Sequence, residues 1–159
     1  MDHVVYLALG SNMGNRHANL KAAINNLTPQ MSVKSRSSVY ETPPWGFTEQ
    51  APFLNQVLMV TTYLVPETLL SHLKRLETAL GRIPNFQNGP RLIDLDILFF
   101  DDLVTDTLKL AIPHPHLHER AFVLVPLAEI APDLVHPVLG KTINELLAKV
   151  DRSDVKLFK

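Results

Sequence analysis

At 159 residues the chain has the length of one domain able to bury a real core. Its hydrophobic share of 46% fits a globular protein, and a formal charge of −1 gives no whole-molecule attraction for nucleic acid or a membrane surface, so any anionic ligand needs a local basic cluster. Cysteine is absent, which excludes disulfides, thiolate zinc sites and thiol nucleophiles.

The opening Met1-Asp2-His3-Val4-Val5 has no basic n-region, and Val4 to Leu9 reads as a buried first strand rather than a signal peptide. Gly10 to Asn15 reads as the turn after it. A first helix follows, with Leu20, Ile24 and Leu27 at helical spacing and Pro29 as its stop. The glycines do not make a phosphate loop, because Asn15-Arg16 stands where Lys-Ser/Thr is required. Met31 to Tyr40 alternates and predicts a half-exposed strand. The next stretch, Glu41 to Pro52, is long for a loop, carries the only Trp and is stiffened by prolines, so it fits either a ligand wall or a hydrophobic plug.

Phe53 to Tyr63 predicts a third strand, with Phe53 and Asn55 on one face. A ring beside an amide suits a flat heterocycle, although the pattern taken alone favours a purely structural Asn. Pro66 opens a second helix and Gly81 closes it, with Leu69, Leu70, Leu73, Leu76 and Leu80 as its buried stripe. On that helix Lys74 and Glu77 are three apart, which by itself predicts a solvated surface ion pair. Arginines bracket the loop from Arg82 to Arg91, and guanidinium forks suit phosphate oxygens.

That loop feeds Gly89 to Phe100, the most informative stretch. It reads as an apolar strand interrupted by Asp94 and Asp96. Strand alternation puts both carboxylates on one face, with Leu92 and Leu98 beside them and roughly 6–7 Å between attachment points. Unpaired carboxylates this close drift toward protonation, and Mg²⁺ removes the conflict by taking one or two carboxylates plus waters and phosphates. A solvated edge strand is the alternative. Beyond it, Leu108 to Ile112 predicts a short added strand. His114, His116 and His118 alternate as a zinc clamp would, but two prolines intervene and no fourth ligand is evident, so one histidine with Arg120 facing a phosphate fits better. Phe122 to Ile130 reads as helical despite Pro126, and Thr142 as the cap of a last helix. No apolar run reaches the ~18 residues of a membrane span, and the chain is read as cytoplasmic.

The element order predicts an α+β fold, a ferredoxin-like split βαβ sandwich: an antiparallel sheet with helices on one face, C-terminal additions, and the Asp pair on the opposite, working face. The chain resembles, almost end to end, the hydroxymethyl-dihydropterin pyrophosphokinases of folate synthesis. The resemblance rests on Gly10-Ser11-Asn12, Tyr40-Glu41-Thr42-Pro43-Pro44, Phe53-Leu54-Asn55, Glu77, Gly81-Arg82, Pro113-His114 and Arg120-Ala121-Phe122. Most specific is Gly89-Pro90-Arg91-Leu92-Ile93-Asp94-Leu95-Asp96.

That resemblance implies a single pyrophosphokinase domain over residues 1–159, monomeric and Mg²⁺-dependent. It would pass pyrophosphate from ATP to 6-hydroxymethyl-7,8-dihydropterin and release AMP. By similarity Asp94 and Asp96 hold two Mg²⁺ ions and, with Arg82 and Arg91, form the catalytic set. Lys74, Glu77, Ile97, His114 and Arg120 join the two arginines around ATP. Phe53 and Phe122 sandwich the pterin, Asn55 reads its edge, and Thr42, Pro43, Trp45 and Asp94 complete its pocket. This chain departs from the bacterial pattern in a shorter loop between Arg82 and Arg91, with Pro84 and Asn88 in it, in Lys74 for a usual glutamine, and in Phe53 for a usual tyrosine. Two rivals predict otherwise: a non-catalytic binding module, whose Asp face is merely wet, and a two-metal nuclease or phosphatase, which would hydrolyse without a pterin.

Overall fold

Strand β1 (His3–Ser11) is an inner strand of the sheet: β4 (Phe53–Thr62) lies on one side and β5 (Asp94–Phe100) on the other, both antiparallel. The computed structural model describes residues 2–44, 49–83 and 89–159. Trp45, Pro84 and Asn88 lie outside that range. β1 runs two residues further than its apolar core suggests, so Gly10 and Ser11 belong to the ladder rather than to the turn.

The outer edge of β4 is shared by two short strands, β2 (Met31–Arg36) and β3 (Tyr40–Thr42). The continuous strand expected from Met31 to Tyr40 is therefore broken, and Ser37 breaks it. Its hydroxyl accepts from Val57 N–H at 2.9 Å and donates to the Ser38 carbonyl, replacing the regular ladder. Glu129 fixes the break from above, accepting from Ser38 N–H, the Ser38 hydroxyl and the Tyr40 hydroxyl.

One face of the sheet is covered by α1 (Arg16–Asn25) and α2 (Pro66–Ala79), the two helices of the predicted split βαβ unit. Asn15 caps α1 by accepting from Ala18 N–H, and Gly81 follows α2 at a φ of +106°, a backbone state open to glycine. Leu20, Leu69 and Leu73 pack there against Val5, Leu7 and Leu95, all nearly inaccessible, so truncating any of these leucines costs about 2–5 kcal/mol.

The opposite face is not left bare. Helices α3 (Ala121–Ile130) and α4 (Ile143–Leu147) form a second core with Val57, Leu98 and Phe99. Thr142 and Glu145 form a reciprocal capping box that starts α4. Of the strand expected over Leu108 to Ile112, only β7 (Ala111–Ile112) forms, against β6 (Thr105–Asp106), and Leu108 is fully exposed. The chain then follows the free edge of β5, where His114 N–H donates to the Leu98 carbonyl at 3.0 Å. At the far edge β8 (Lys156–Leu157) pairs with β3. Among the described residues no helix is long and apolar enough to cross a membrane.

Candidate active site

The register builds the site. Gly10 is the Cα partner of Asp94 on one side and of Asn55 on the other, so Asp94, Gly10 and Asn55 form one row across three strands. The next row is Asp96, Ala8 and Val57. Small residues at Gly10 and Ala8 keep the floor low between the acids of β5 and the amide of β4. A methyl group added at Gly10 would lie 3.6 Å from both Asn55 Oδ1 and Phe53 Cδ1. Leu92, expected beside the acids, precedes the strand and packs against Gly81.

Above these rows lies a cleft of about 860 Å³, its open mouth included. Thr42, Pro43, Phe53 and Asn55 line it on the β4 side and Asp94, Asp96 and Arg91 on the β5 side, and Arg120 and Phe122, whose ring centre lies 5.7 Å from the Arg120 guanidinium, also line it. Asn55 Nδ2 donates to Thr42 Oγ1 at 2.8 Å, which orients its carbonyl oxygen. A second cleft of about 700 Å³ runs along the free edge of β5, between Leu70 and Lys74 of α2 and the segment from Thr107 to Pro115, with Ile97 in its wall. Asp96 and His114 line both clefts, so the two meet there.

Burial first, and the Asp94 charge second, push the Asp96 carboxyl up to about 6. Asp94 has cationic neighbours: Arg82 Nη2 at 3.3 Å and Arg91 Nε at 3.8 Å from its Oδ1. The expected sharing of one face by Asp94 and Asp96 is what the structure has. Two carboxylates on one ridge, opening to a cleft, fit Mg²⁺, which fills its remaining positions with water and phosphate oxygens. Among the described residues no cluster of three His, Asp or Glu could hold a metal, so the three histidines form no zinc clamp. Leu117–Glu119 is a 3-10 turn, which destroys the alternation a clamp would need.

Glu77 corrects the reading of a solvated pair. Its side chain is only 2% exposed; Oε1 accepts from Arg82 Nη1 at 2.7 Å and Oε2 from Leu95 N–H at 2.7 Å. Lys74 Nζ stands farther off, at 3.4 Å. The carboxylate thus closes the free edge of β5 and aims Arg82 at Asp94. His114 is held neutral: burial, then Arg120 and His116, lower it to about 4. Its Nδ1 accepts from His116 N–H at 3.2 Å, which puts the proton on Nε2 as a donor.

Pattern reading missed Asn12. Its Oδ1 accepts from Arg91 N–H at 2.7 Å, while its Nδ2 donates to Gln50 Oε1 and the Ala51 carbonyl. One amide thus joins the chain entering β4 to the arginine before β5. The signal available was an Asn just past a strand end, a usual place for a side chain that stands in for backbone.

The family model of 7,8-dihydro-6-hydroxymethylpterin-pyrophosphokinase matches residues 6–132. A 2-amino-4-hydroxy-6-hydroxymethyldihydropteridine pyrophosphokinase of Methylorubrum extorquens is 47% identical over 153 residues, covering 95% of this chain and 96% of its own. The enzyme of the same name from Aquifex aeolicus is 44% identical over 141 residues, 89% of this chain and 88% of its own. Among solved structures, a Plasmodium falciparum HPPK-DHPS crystallised with STZ-DHP superposes with a TM-score of 0.79 at 18% identity, over 94% of this chain and 45% of that one, which speaks for the fold. On its matched span, its relatives and its acid-bearing strand, the chain belongs to the 7,8-dihydro-6-hydroxymethylpterin-pyrophosphokinase family.

Proposed function

We propose that this chain transfers a pyrophosphoryl group from ATP to the hydroxymethyl oxygen of 6-hydroxymethyl-7,8-dihydropterin, with Mg²⁺ bound at Asp94 and Asp96. The observation that carries the reading is the position of these acids, side by side on β5 in the first cleft, with Asp96 where that cleft meets the second. In it the pterin lies along the Asn55–Gly10–Asp94 row. Strands stand about 4.8 Å apart, so the row spans about 10 Å, enough for a bicyclic ring with its hydroxymethyl arm reaching Asp94. Phe53 and Phe122 stack on the ring, and Asn55, oriented by Thr42, reads its edge.

ATP takes the edge cleft, its base between Leu70, Ile97 and Leu110 and its phosphates at the junction. The hydroxymethyl oxygen attacks the β-phosphorus, the bond from that phosphorus to the oxygen bridging it to the α-phosphorus breaks, AMP leaves with that oxygen, and the hydroxyl proton passes to solvent. Two Mg²⁺ ions at the acids would neutralise charge on the transferred group and its flanking oxygens. Arg82 and Arg91, close to Asp94, offer guanidinium donors to the same oxygens, and Arg120 and the neutral His114, which line the same cleft, add further donors. Lys74 lies in the wall of the nucleotide cleft, while Glu77 acts through Arg82 and the β5 edge.

The test is AMP formation from ATP and Mg²⁺ with and without hydroxymethyl-dihydropterin. AMP that depends on the pterin supports the reading. Folded protein that makes none, or that releases phosphate equally without an acceptor, refutes it.

A further inference from the structure

The connection from β3 to β4 supplies Thr42 and Pro43 at one end and leads into Phe53 at the other, and all three line the cleft over the acids. Yet β3 has only three residues on β4, Tyr40↔Asn55 to Thr42↔Phe53, a short ladder for a wall that has to hold its place. Arg16, the first residue of α1, spans the base of this connection. Its Nη1 donates to Glu41 Oε2 at 2.7 Å and to the Pro52 carbonyl at 3.0 Å, so one guanidinium holds both the departing and the returning chain.

A second contact fixes the guanidinium itself. It lies 5.7 Å from the centre of the Phe158 ring. Phe158 is set in place because Phe158 N–H donates to the Val39 carbonyl at 2.9 Å, next to the pairing of Tyr40 with Leu157. The C-terminal strand thus closes the outer edge of β3 and backs the clasp. A pair this exposed, 23% for Arg16 and 38% for Glu41, would be weak alone. The carbonyl bond and the ring make it a three-sided fixture.

We propose that Arg16, backed by Phe158, is a positioning residue that holds both ends of the β3–β4 connection and thereby sets affinity for the bicyclic substrate, on the functional reading given above. It touches no reacting group and lies away from the edge cleft, so its effect falls on the pterin rather than on ATP.

The test is steady-state AMP formation with Arg16→Met, Arg16→Lys and Phe158→Ala, each substrate varied in turn, with melting temperatures measured in parallel. If the clasp keeps the wall competent and its loss leaves it so about a tenth of the time, KM for the pterin rises about tenfold in Arg16→Met. In that variant kcat and KM for ATP stay within about twofold of wild type, and Arg16→Lys recovers most of the loss. Adding Glu41→Gln to Arg16→Met makes nothing worse if the two groups act as one. An unchanged KM for the pterin, or equal rises in both KM values, overturns the proposal while leaving the functional reading intact. Should Arg16→Met fail to fold, Phe158→Ala decides by the same split. A wild-type protein without pterin-dependent AMP overturns both.

Discussion

Replacing Glu77 with alanine separates a solvated helix pair from a buried edge closure. In the folded protein the carboxylate holds Leu95 N–H and Arg82 at 2.7 Å each. Alanine strands the Leu95 donor, a loss of about 1–3 kcal/mol. It also removes one of the two carboxylates beside Arg82, and since that side chain is 25% exposed we discount this to about 1 kcal/mol. The sum, about 3 kcal/mol, corresponds to a drop of about 6–12 °C in Tm for a domain of this size. Urea denaturation at neutral pH reads the free energy directly. Glu77→Gln keeps an acceptor for Leu95 N–H and should lose about half as much. Lys74→Ala should change stability by less than about 0.5 kcal/mol. If Glu77→Ala also lost less than that, the edge-closing role would be wrong and the solvated reading right.

Two further outcomes follow from the cleft. His114 is lowered to about 4 in the folded protein against an ordinary value of 6.5, so protonation favours the unfolded chain. Its contribution is complete above pH 6.5 and is lost as pH falls toward 4, at up to about 1.4 kcal/mol per pH unit. Denaturation free energies across that window should fall less steeply in His114→Gln than in the parent, and identical slopes would refute the assignment. Gly10→Ala places a methyl at ordinary contact distance from Asn55 and Phe53, so Tm should barely move. Because the methyl raises the cleft floor, pterin binding measured by fluorescence titration should weaken by about 1–3 kcal/mol.

The fold was legible because its periods are clean. The apolar run of β1, the shared face of the two acids in β5, Leu69, Leu73 and Leu76 of the α2 stripe, and the Pro66 and Gly81 boundaries all survive into the structure. Asp94 and Asp96 could be placed together because a period of two needs no partner strand to interpret. What stayed hidden depends on neighbours distant in sequence. Glu77 looks like a surface residue on its helix and is buried only because α2 packs on the free edge of β5. Ser37 ends a strand through a hydroxyl that an alternation pattern counts as merely small and polar. Gly10 reads as turn glycine until its register shows it as the floor between an acid and an amide. Arg16 and Asn12 join segments whose adjacency only the folded chain reveals.

The acid pair is the centre of this account, and its most direct test is Asp96→Asn. Asparagine keeps the shape but removes the charge that burial and Asp94 already strain. The account predicts a protein with parental Tm or slightly above, since an unfavourable, half-buried charge beside Asp94 is gone. Pterin-dependent AMP formation should fall by about a thousandfold or more at saturating ATP, Mg²⁺ and pterin. A folded Asp96→Asn protein forming AMP at close to the parental rate would contradict it.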